Sequence, residues 1–236
     1  MIRNEICAYC GVRLTELHNA ASKSSIEHMI PNTALSRANM RNRGDGDFMA
    51  CTKCNQRKSK MDYIFGLIAK LQTKNVCIAE AAVSDILQRP NEYGRVSRML
   101  NTAKFNGSEF NMTMPCSASD LDEYFTFLGK GQYFKEFRRP LNTTLYMVIF
   151  ELVNKEMLMK FCDFYKQYHE SDPLDDLAKN PNVEVLGDGE CLIVPSGKRY
   201  LIFFQGSVGV KLDIVRKSNR NIKNKRSYLK SFATFQ

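Results

Sequence analysis

The chain contains 236 residues and carries a formal net charge of +9, with 34 Lys and Arg residues against 25 Asp and Glu residues. Its hydrophobic content of 44% can fill the core of an ordered protein of this size. The positive charge favours an anionic partner such as nucleic acid, although a solvated basic surface gives the same count. No apolar stretch suits a membrane span or a secretion signal. We therefore expect a soluble, cytoplasmic protein whose thiols stay reduced unless a metal binds them.

The first feature along the chain is a pair of C-x-x-C motifs, formed by Cys7 and Cys10 and by Cys51 and Cys54. Each motif places two thiolates at a spacing that binds one tetrahedral ion, so the two together predict a Cys₄ zinc site. A redox role would instead suit a single pair that follows a strand. Because a closed Cys₄ site leaves no position for a substrate, the zinc is predicted to be structural and to stabilise a polar segment.

The segment between the two motifs is about forty residues long, whereas an ordinary zinc ribbon has roughly 15–20 residues there. It contains the sequence SIEHMIP at residues 25–31, and the second motif continues into Asn55-Gln56-Arg57-Lys58. An acid-His pair between two C-x-x-C motifs, followed by Asn-x-x-Lys, resembles the HNH, or His-Me finger, endonucleases. The similarity is to their four-cysteine zinc branch, which includes the phage endonuclease VII type, and it covers residues 5–65.

The resemblance implies a ββα-metal module in which zinc joins a β-hairpin to the helix that follows Cys54. His28 would be the general base for phosphodiester hydrolysis, since an imidazole accepts a proton near neutral pH. Glu27 and Asn55 would supply oxygen ligands to a catalytic Mg²⁺ or Mn²⁺ ion. Asp47 replaces an Asn that holds the hairpin loop in the family; Asp accepts the same hydrogen bonds but cannot donate.

The substrate implied by the resemblance is DNA, in the cytoplasm of a bacterial or phage-infected cell. Basic residues near the motifs are expected to contact phosphates, with ordinary surface charge as the alternative; they are Arg37, Arg41, Arg43, Arg57, Lys58 and Lys60. A second hypothesis remains open because of Asp47. It is a catalytically silent, zinc-stabilised nucleic-acid-binding or partner-docking protein derived from the same fold.

Helical periodicity dominates the sequence after the second motif. Apolar residues recur at steps of three and four over residues 61–73, which predicts an amphipathic helix that starts just after Cys54. Further helices are predicted over 78–87 and 93–100. A short helix capped by Ser119 is then predicted to end at Gly129 and Gly131.

The segment 143–168 is apolar and aromatic enough to be the main buried helix, either continuous or broken near Asn154, with a strand over 145–152 as the alternative. Aromatic runs at 124–127 and 161–168 are more typical of a core than of base-stacking platforms. The four remaining cysteines have apolar neighbours and are predicted to be core thiols; they are Cys77, Cys116, Cys162 and Cys191.

The C-terminal part shows β-type patterning. Short β-type runs separated by Gly and Pro turns predict an antiparallel meander over 183–215, and a basic tail or exposed helix follows over 216–230. The fold class is therefore α+β. An N-terminal zinc-stabilised ββα-metal (HNH) module is expected over 1–75. A larger C-terminal domain of unknown role is expected over 76–236, helical over 76–170, and it offers a surface for a homodimer or a protein partner.

Overall fold

The computed structural model describes residues 1–17, 20–89, 94–105, 110–111, 113 and 115–233. Its architecture is mixed α+β with antiparallel sheets, as the sequence predicted. Within these ranges no helix is both long enough and apolar enough to cross a membrane. The N-terminal elements are β1 (Ser24–Glu27), two 3-10 turns (Asn32–Ala34 and Arg37–Asn39), β2 (Phe48–Cys51), α1 (Thr52–Leu71), α2 (Val76–Gln88) and α3 (Gly94–Asn101). The remaining elements are β3 (Lys104–Phe105), β4 (Phe110–Asn111), α4 (Ala118–Phe137), β5 (Tyr146–Leu152), α5 (Lys155–His169), α6 (Pro173–Ala178), β6 (Glu184–Leu186), β7 (Cys191–Ser196), β8 (Arg199–Phe204), β9 (Val208–Arg216) and α7 (Asn219–Ala233).

A β-hairpin and the helix that follows it form the N-terminal part. β1 and β2 pair antiparallel, with Ser24 opposite Cys51 and Glu27 opposite Phe48. β2 leads directly into α1, which begins at Thr52 and therefore earlier than its apolar pattern predicted. The residues at its start are largely polar and show no helical period of apolar side chains. Tertiary contacts set the first two turns instead, since the side chains of Cys54 and Lys58 are buried there.

α4 is the central buried helix, and two predictions for it were wrong. Its cap is Ser117, whose side chain accepts a hydrogen bond from the backbone within the first turn, and not Ser119. The helix also continues through Gly129 and Gly131 to its end at residue 137. A Cβ atom on Gly129 would lie 2.7 Å from the side chain of Val148 in β5. These glycines therefore permit close packing and do not stop the helix.

The segment predicted as the main buried helix, 143–168, divides into two elements. Its first half is β5, as the alternative prediction had it, and its second half is α5. Asn154 is the N-cap of α5, because its side chain accepts a hydrogen bond from the backbone N–H of Met157 at 2.9 Å. Only Leu158 and Cys162 are buried side chains of α5. The prediction of a buried helix here was wrong, since β-branched and aromatic residues favoured the sheet.

Five strands form the larger sheet, in the order β5-β9-β8-β7-β6, and all neighbours are antiparallel. The predicted meander is therefore confirmed, and β5 extends it at the edge beside β9. Successive side chains of a strand face opposite sides of a sheet. Ile202 and Leu212 accordingly join the main core with α4. Leu192 and Phe203 join a smaller cluster with residues of α5 and α6 on the other face.

The main core contains residues from both sides of the expected boundary at residue 75. Cys7, Tyr9 and Phe48 of the N-terminal segment share one cluster with Phe125 of α4 and Ile202 of β8. Tyr9 lies edge-on to Phe48, with ring centroids 5.5 Å apart. The polar N-terminal segment therefore has a hydrophobic partner in the rest of the chain.

The predictions for scattered cysteines and aromatic residues were correct only in part. Cys116, Cys162 and Cys191 are buried, but Cys77 is exposed on α2. The aromatic run at 124–127 lies in the core. The run at 161–168 was also predicted to be core, and this was wrong, because its large side chains mostly face solvent. The basic segment after residue 216 is helical in α7, and Lys225 pairs with Asp122 of α4 at 2.6 Å.

Candidate functional site

Four cysteines come together at the base of the hairpin, and we call them the cysteine cluster: Cys7, Cys10, Cys51 and Cys54. Their sulfur atoms all lie within 4.8 Å of one another, and those of Cys10 and Cys51 are 3.8 Å apart. A tetrahedral zinc site with Zn–S bonds of about 2.3 Å has sulfur atoms about 3.8 Å apart. The donor set and its spacing therefore fit one zinc ion.

The electrostatics of the cysteine cluster also suit a cation. Hydrogen bonds from the Cys54 thiol and from the backbone N–H of Cys51 lower the pKa of Cys7 to about 4, although burial opposes this. Burial then raises the pKa of Cys51 to about 11, and the negative charge on Cys7 adds to that increase. Four thiolates in this space repel one another unless a cation lies between them. Zinc supplies that charge and stabilises thiolates as ligands.

His28 follows β1 directly and is half-buried. Its Nε2 atom lies 3.2 Å from the backbone carbonyl oxygen of Asn42, in the loop that returns to β2. If Nε2 donates in this contact, Nδ1 carries the free lone pair. Among the described residues, Nδ1 of His28 has no hydrogen-bond partner, whereas Nε2 is held by the backbone.

Asp47 fixes the backbone next to His28. One of its carboxylate oxygens accepts a hydrogen bond from the backbone N–H of Met29 at 2.8 Å and another from Arg41 at 3.0 Å. Its second oxygen lies 3.2 Å from Nζ of Lys135 in α4. Burial opposes ionisation of Asp47, but Lys135 and Arg41 outweigh it and lower the pKa of this carboxyl. Asp47 is thus a charged anchor for the hairpin loop and uses only its ability to accept.

Asn55 lies in the first turn of α1, against β1. Its Nδ2 atom donates to the hydroxyl of Ser25 at 3.0 Å and to the carbonyl oxygen of Ile26 at 3.1 Å. Both donor contacts use the same nitrogen, so the orientation of the amide is fixed. Within the described ranges no donor contacts Oδ1 of Asn55, which leaves this oxygen available to a ligand.

Glu27 faces the interior: its neighbour Ile26 is exposed on the opposite face of β1, and the Glu27 carboxylate is only 2% exposed. Its Oε1 atom lies 2.9 Å from Nζ of Lys58, which is fully buried. The same ammonium donates to the carbonyl oxygen of His28 at 3.0 Å and to the two carboxylate oxygens of Asp62 at 2.7 and 2.9 Å. We call Glu27, Lys58 and Asp62 the lysine cluster.

Charge balance in the lysine cluster favours an ionised lysine. Burial opposes the charge on Lys58, but Asp62 and Glu27 outweigh burial and raise the pKa of the ammonium. For Asp62, burial is the largest influence and raises the pKa of the carboxyl to about 6, with Lys58 acting in the opposite direction. One buried cation therefore faces two carboxyl groups and one backbone carbonyl.

These contacts bear on the catalytic metal expected at Glu27 and Asn55. Mg²⁺ usually keeps several water ligands, so its protein ligands must face solvent. Both carboxylate oxygens of Glu27 are inside the protein, and Oε1 is occupied by the lysine. Glu27 therefore does not fit a hydrated divalent ion in this arrangement, whereas Asn55 offers one open oxygen.

The six basic residues expected to contact phosphates divide into three pairs. Lys58 is buried and Arg41 is only 16% exposed, so neither belongs to a phosphate-binding surface. Two others are exposed but paired, Arg37 with Asp85 and Arg57 with Glu123, each at 2.5 Å. The last two, Arg43 and Lys60, are exposed. Among the residues that the structure describes, neither has an acidic partner.

Sequence reasoning missed Asp62 and Lys135 as residues that support the site. Lys135 contacts Asp47 from a helix far away along the chain, so no local pattern could reveal it. Asp62 did have a local signal, since it follows Lys58 by four residues on one helix, a spacing at which opposite charges pair.

Comparisons with known proteins give no further guide to this site. No protein-family model matches the chain, and neither does a curated protein or a solved structure.

Proposed function

We propose that this chain is a zinc-stabilised endonuclease of the HNH type that hydrolyses phosphodiester bonds in DNA. The observation that carries the proposal is the position of His28, which lies half-buried at the end of β1 with one ring nitrogen held by a backbone carbonyl. The order of motifs supports it, since the acid-His pair lies between two cysteine pairs and Asn55 follows the second.

In this proposal Nδ1 of His28 takes a proton from the water whose oxygen attacks the phosphorus atom. The P–O bond to the leaving strand breaks as the new bond forms, and the leaving oxygen takes a proton from solvent. The peptide bond that follows His28 is held at both of its polar atoms, because Lys58 donates to the carbonyl oxygen of His28 and Asp47 accepts from the N–H of Met29. Such positioning reduces the entropy that is lost on reaching the transition state. Arg43 and Lys60 offer free positive charge for the DNA backbone.

A zinc ion in the cysteine cluster would connect the first C-x-x-C motif, at Cys7 and Cys10, to the end of β2 and the first turn of α1. It would set the distance between β1 and α1, and therefore the position of Asn55 relative to His28. Because all four ligand positions are filled by sulfur, the zinc would have a structural role and no direct role in hydrolysis.

The test is cleavage of supercoiled plasmid by the purified chain with Mg²⁺, with Mn²⁺ and with EDTA. We expect His28→Ala to lose about 10²–10⁴-fold in rate, as is typical for loss of a general base. The control is Gln56→Ala, an exposed change on α1 that should cut like the parent. The proposal fails if the parent cuts DNA under none of these conditions, or if His28→Ala cuts as fast as the parent.

A second candidate is a zinc-stabilised DNA-binding protein without turnover. The burial of Glu27 and its pairing with Lys58 favour it, because they remove one of the two oxygen ligands expected for a catalytic ion. Fluorescence anisotropy with labelled duplex DNA at several salt concentrations distinguishes the candidates. Salt-dependent binding without cleavage would support the second candidate.

A further inference from the structure

The end of β9 and the helix α7 carry a dense positive charge. Residues 216–230 contain seven basic residues and no acidic one. Five of the seven are exposed and, within the part of the chain that the structure describes, form no ion pair: Arg216, Lys217, Arg220, Lys223 and Arg226. Their charge is therefore available to an anionic partner.

The opposite side of α7 packs against the protein and covers the free edge of β5. Lys225 donates to the carbonyl oxygen of Val148 at 3.0 Å and lies 2.6 Å from Asp122 of α4. The hydroxyl of Tyr228 accepts a hydrogen bond from the backbone N–H of Leu152 at 3.1 Å. These side chains bind polar groups that an edge strand otherwise leaves unpaired. The exposed cations therefore belong to a docked helix and not to a loose tail.

Three of the exposed cations share one side of α7. Arg220, Lys223 and Arg226 follow one another at steps of three residues, so they lie within a strip of the helix about 120° wide. Asn224 and Ser227 are exposed beside them. Up to residue 230, each exposed residue of α7 is polar or basic. This side of the helix consists of cations and hydrogen-bonding groups.

A second segment of the chain adds to the positive charge. Arg216, at the end of β9, lies opposite Tyr146 of β5, and Nζ of Lys198 lies 4.5 Å from the centre of the Tyr146 ring. Lys198 is exposed in the turn between β7 and β8. The backbone N–H of Lys217 donates to the carbonyl oxygen of Leu145 at 2.8 Å, which fixes the link from β9 to α7. Cations from two separate parts of the chain therefore meet at one end of the sheet.

We propose that these cations bind the phosphate backbone of duplex DNA without reading its sequence. We call them the α7 surface: Lys198, Arg216, Lys217, Arg220, Lys223 and Arg226. Duplex DNA carries one negative charge per about 1.7 Å of its axis, and lysine, arginine, amide and hydroxyl groups are the usual contacts to phosphate. The inference rests on the proposed function for the choice of DNA, but it does not require turnover.

The composition of α7 argues against two other anionic partners. A helix that binds a membrane surface inserts an exposed apolar face into the lipid. Contacts between proteins usually have an apolar or aromatic centre. The partly buried Tyr228 and Leu229 instead pack against the main core, so the exposed side of α7 offers neither feature.

Fluorescence anisotropy with labelled duplex DNA at several salt concentrations tests the α7 surface. The protein is loaded with zinc, and Mg²⁺ and Mn²⁺ are left out, so that binding is measured without cleavage. The triple variant Arg220→Gln, Lys223→Gln and Arg226→Gln should reduce the slope of log affinity against log salt concentration by about 2–3. Its affinity should fall at least about tenfold at low salt, and Lys198→Gln alone should reduce the slope by about 1.

The matched control removes the same charge from α5, with Lys155→Gln, Lys160→Gln and Lys166→Gln. Two of these lysines are already paired with acids, Lys160 with Glu156 and Lys166 with Asp172, so this variant should keep the slope of the parent. The thermal midpoint of each variant shows that it remains folded.

A further variant guards against disruption of α7 itself. Arg216→Gln with Lys217→Gln lies outside the helix and should reduce the slope by about 2, because it removes two phosphate contacts. An unchanged slope in the folded variants, or an equal reduction in the α5 control, overturns the proposal. So does a parent that shows no salt-dependent binding.

The same variants distinguish the other partners and the two proposals. A loss of binding to vesicles of phosphatidylserine and phosphatidylcholine, without a loss of binding to DNA, would assign the α7 surface to a membrane and overturn the proposal. An uncut plasmid together with a reduced slope contradicts only the proposed catalysis. Cleavage that depends on His28 together with an unchanged slope contradicts only the α7 surface.

Discussion

The cysteine cluster and the lysine cluster lie in the same part of the molecule, yet they obtain positive charge from different sources. The cysteine cluster offers four sulfur ligands at the spacing of a tetrahedral ion. In the lysine cluster, the ammonium of Lys58 already lies among the oxygen atoms of Glu27, Asp62 and His28. A convergent set of ligands therefore indicates a metal only where no side chain of the protein itself occupies the position of the cation.

The largest expected effect is at the cysteine cluster. Cys51→Ser should abolish stoichiometric zinc binding and unfold the hairpin, because structural zinc contributes about 10–16 kcal/mol in small zinc-dependent folds. Zinc content and the thermal midpoint measure the two effects. Cys77→Ser, at an exposed cysteine of α2, is the control and should change neither. If both variants retain zinc and melt like the parent, the cluster does not hold the metal.

Removal of the internal cation should have the next largest effect. Lys58→Met leaves Glu27 and Asp62 buried without a counter-charge, and loss of one partner from a buried pair costs about 3–5 kcal/mol. Lys60→Met, on an exposed position of the same helix, should change the free energy of unfolding by less than about 0.5 kcal/mol. Urea unfolding of the zinc-loaded proteins measures both values. Equal stability of the two variants would show that Lys58 is not essential to the cluster.

A smaller effect should depend on pH. The carboxyl of Asp62 has a pKa of about 6 in the fold, against an ordinary value of 3.8. Between these values the unfolded chain releases the proton before the folded protein does, so rising pH favours unfolding. The parent should therefore lose stability relative to Asp62→Asn from pH 4 to 6, by on the order of 2–3 kcal/mol, and the difference should be constant above pH 7.

Paired urea titrations at several pH values measure this difference for the parent and the Asp62→Asn variant. A difference that does not change across the range would mean that Asp62 ionises in the fold as easily as in the unfolded chain. The carboxyl group of Asp62 would then behave like that of a solvated surface residue, although it lies in the lysine cluster.

The cysteine motifs were accessible from sequence because short spacings determine them, and His28 was accessible because it follows Glu27 between the two motifs. The orientation of Glu27 was not, since it depends on which face of β1 packs against the core, and this in turn depends on α4 and α1. Lys58 was assigned to a phosphate surface because charge alone does not distinguish an exposed lysine from a buried one. Its partner Asp62, four residues further on, was the available clue.

The same limitation explains the errors in the C-terminal half. The meander was predicted correctly, because strands and turns alternate over short distances there. Residues 161–168 were assigned to the core on composition alone. Whether an aromatic residue is buried depends on what packs against the helix, and α5 contacts the sheet through only one side. Gly129 and Gly131 were misjudged for a similar reason, since their neighbours come from other elements.

The connectivity of the hairpin has a topological consequence. His28 lies on the chain between the two cysteine pairs, so a zinc ion that joins Cys10 to Cys51 turns the intervening segment into a closed ring. A closed ring restricts the conformations of the unfolded chain more than those of the native protein. After a single proteolytic cut in the exposed stretch at Arg43, a bound metal would therefore still join the two fragments, in addition to the contacts of the main core.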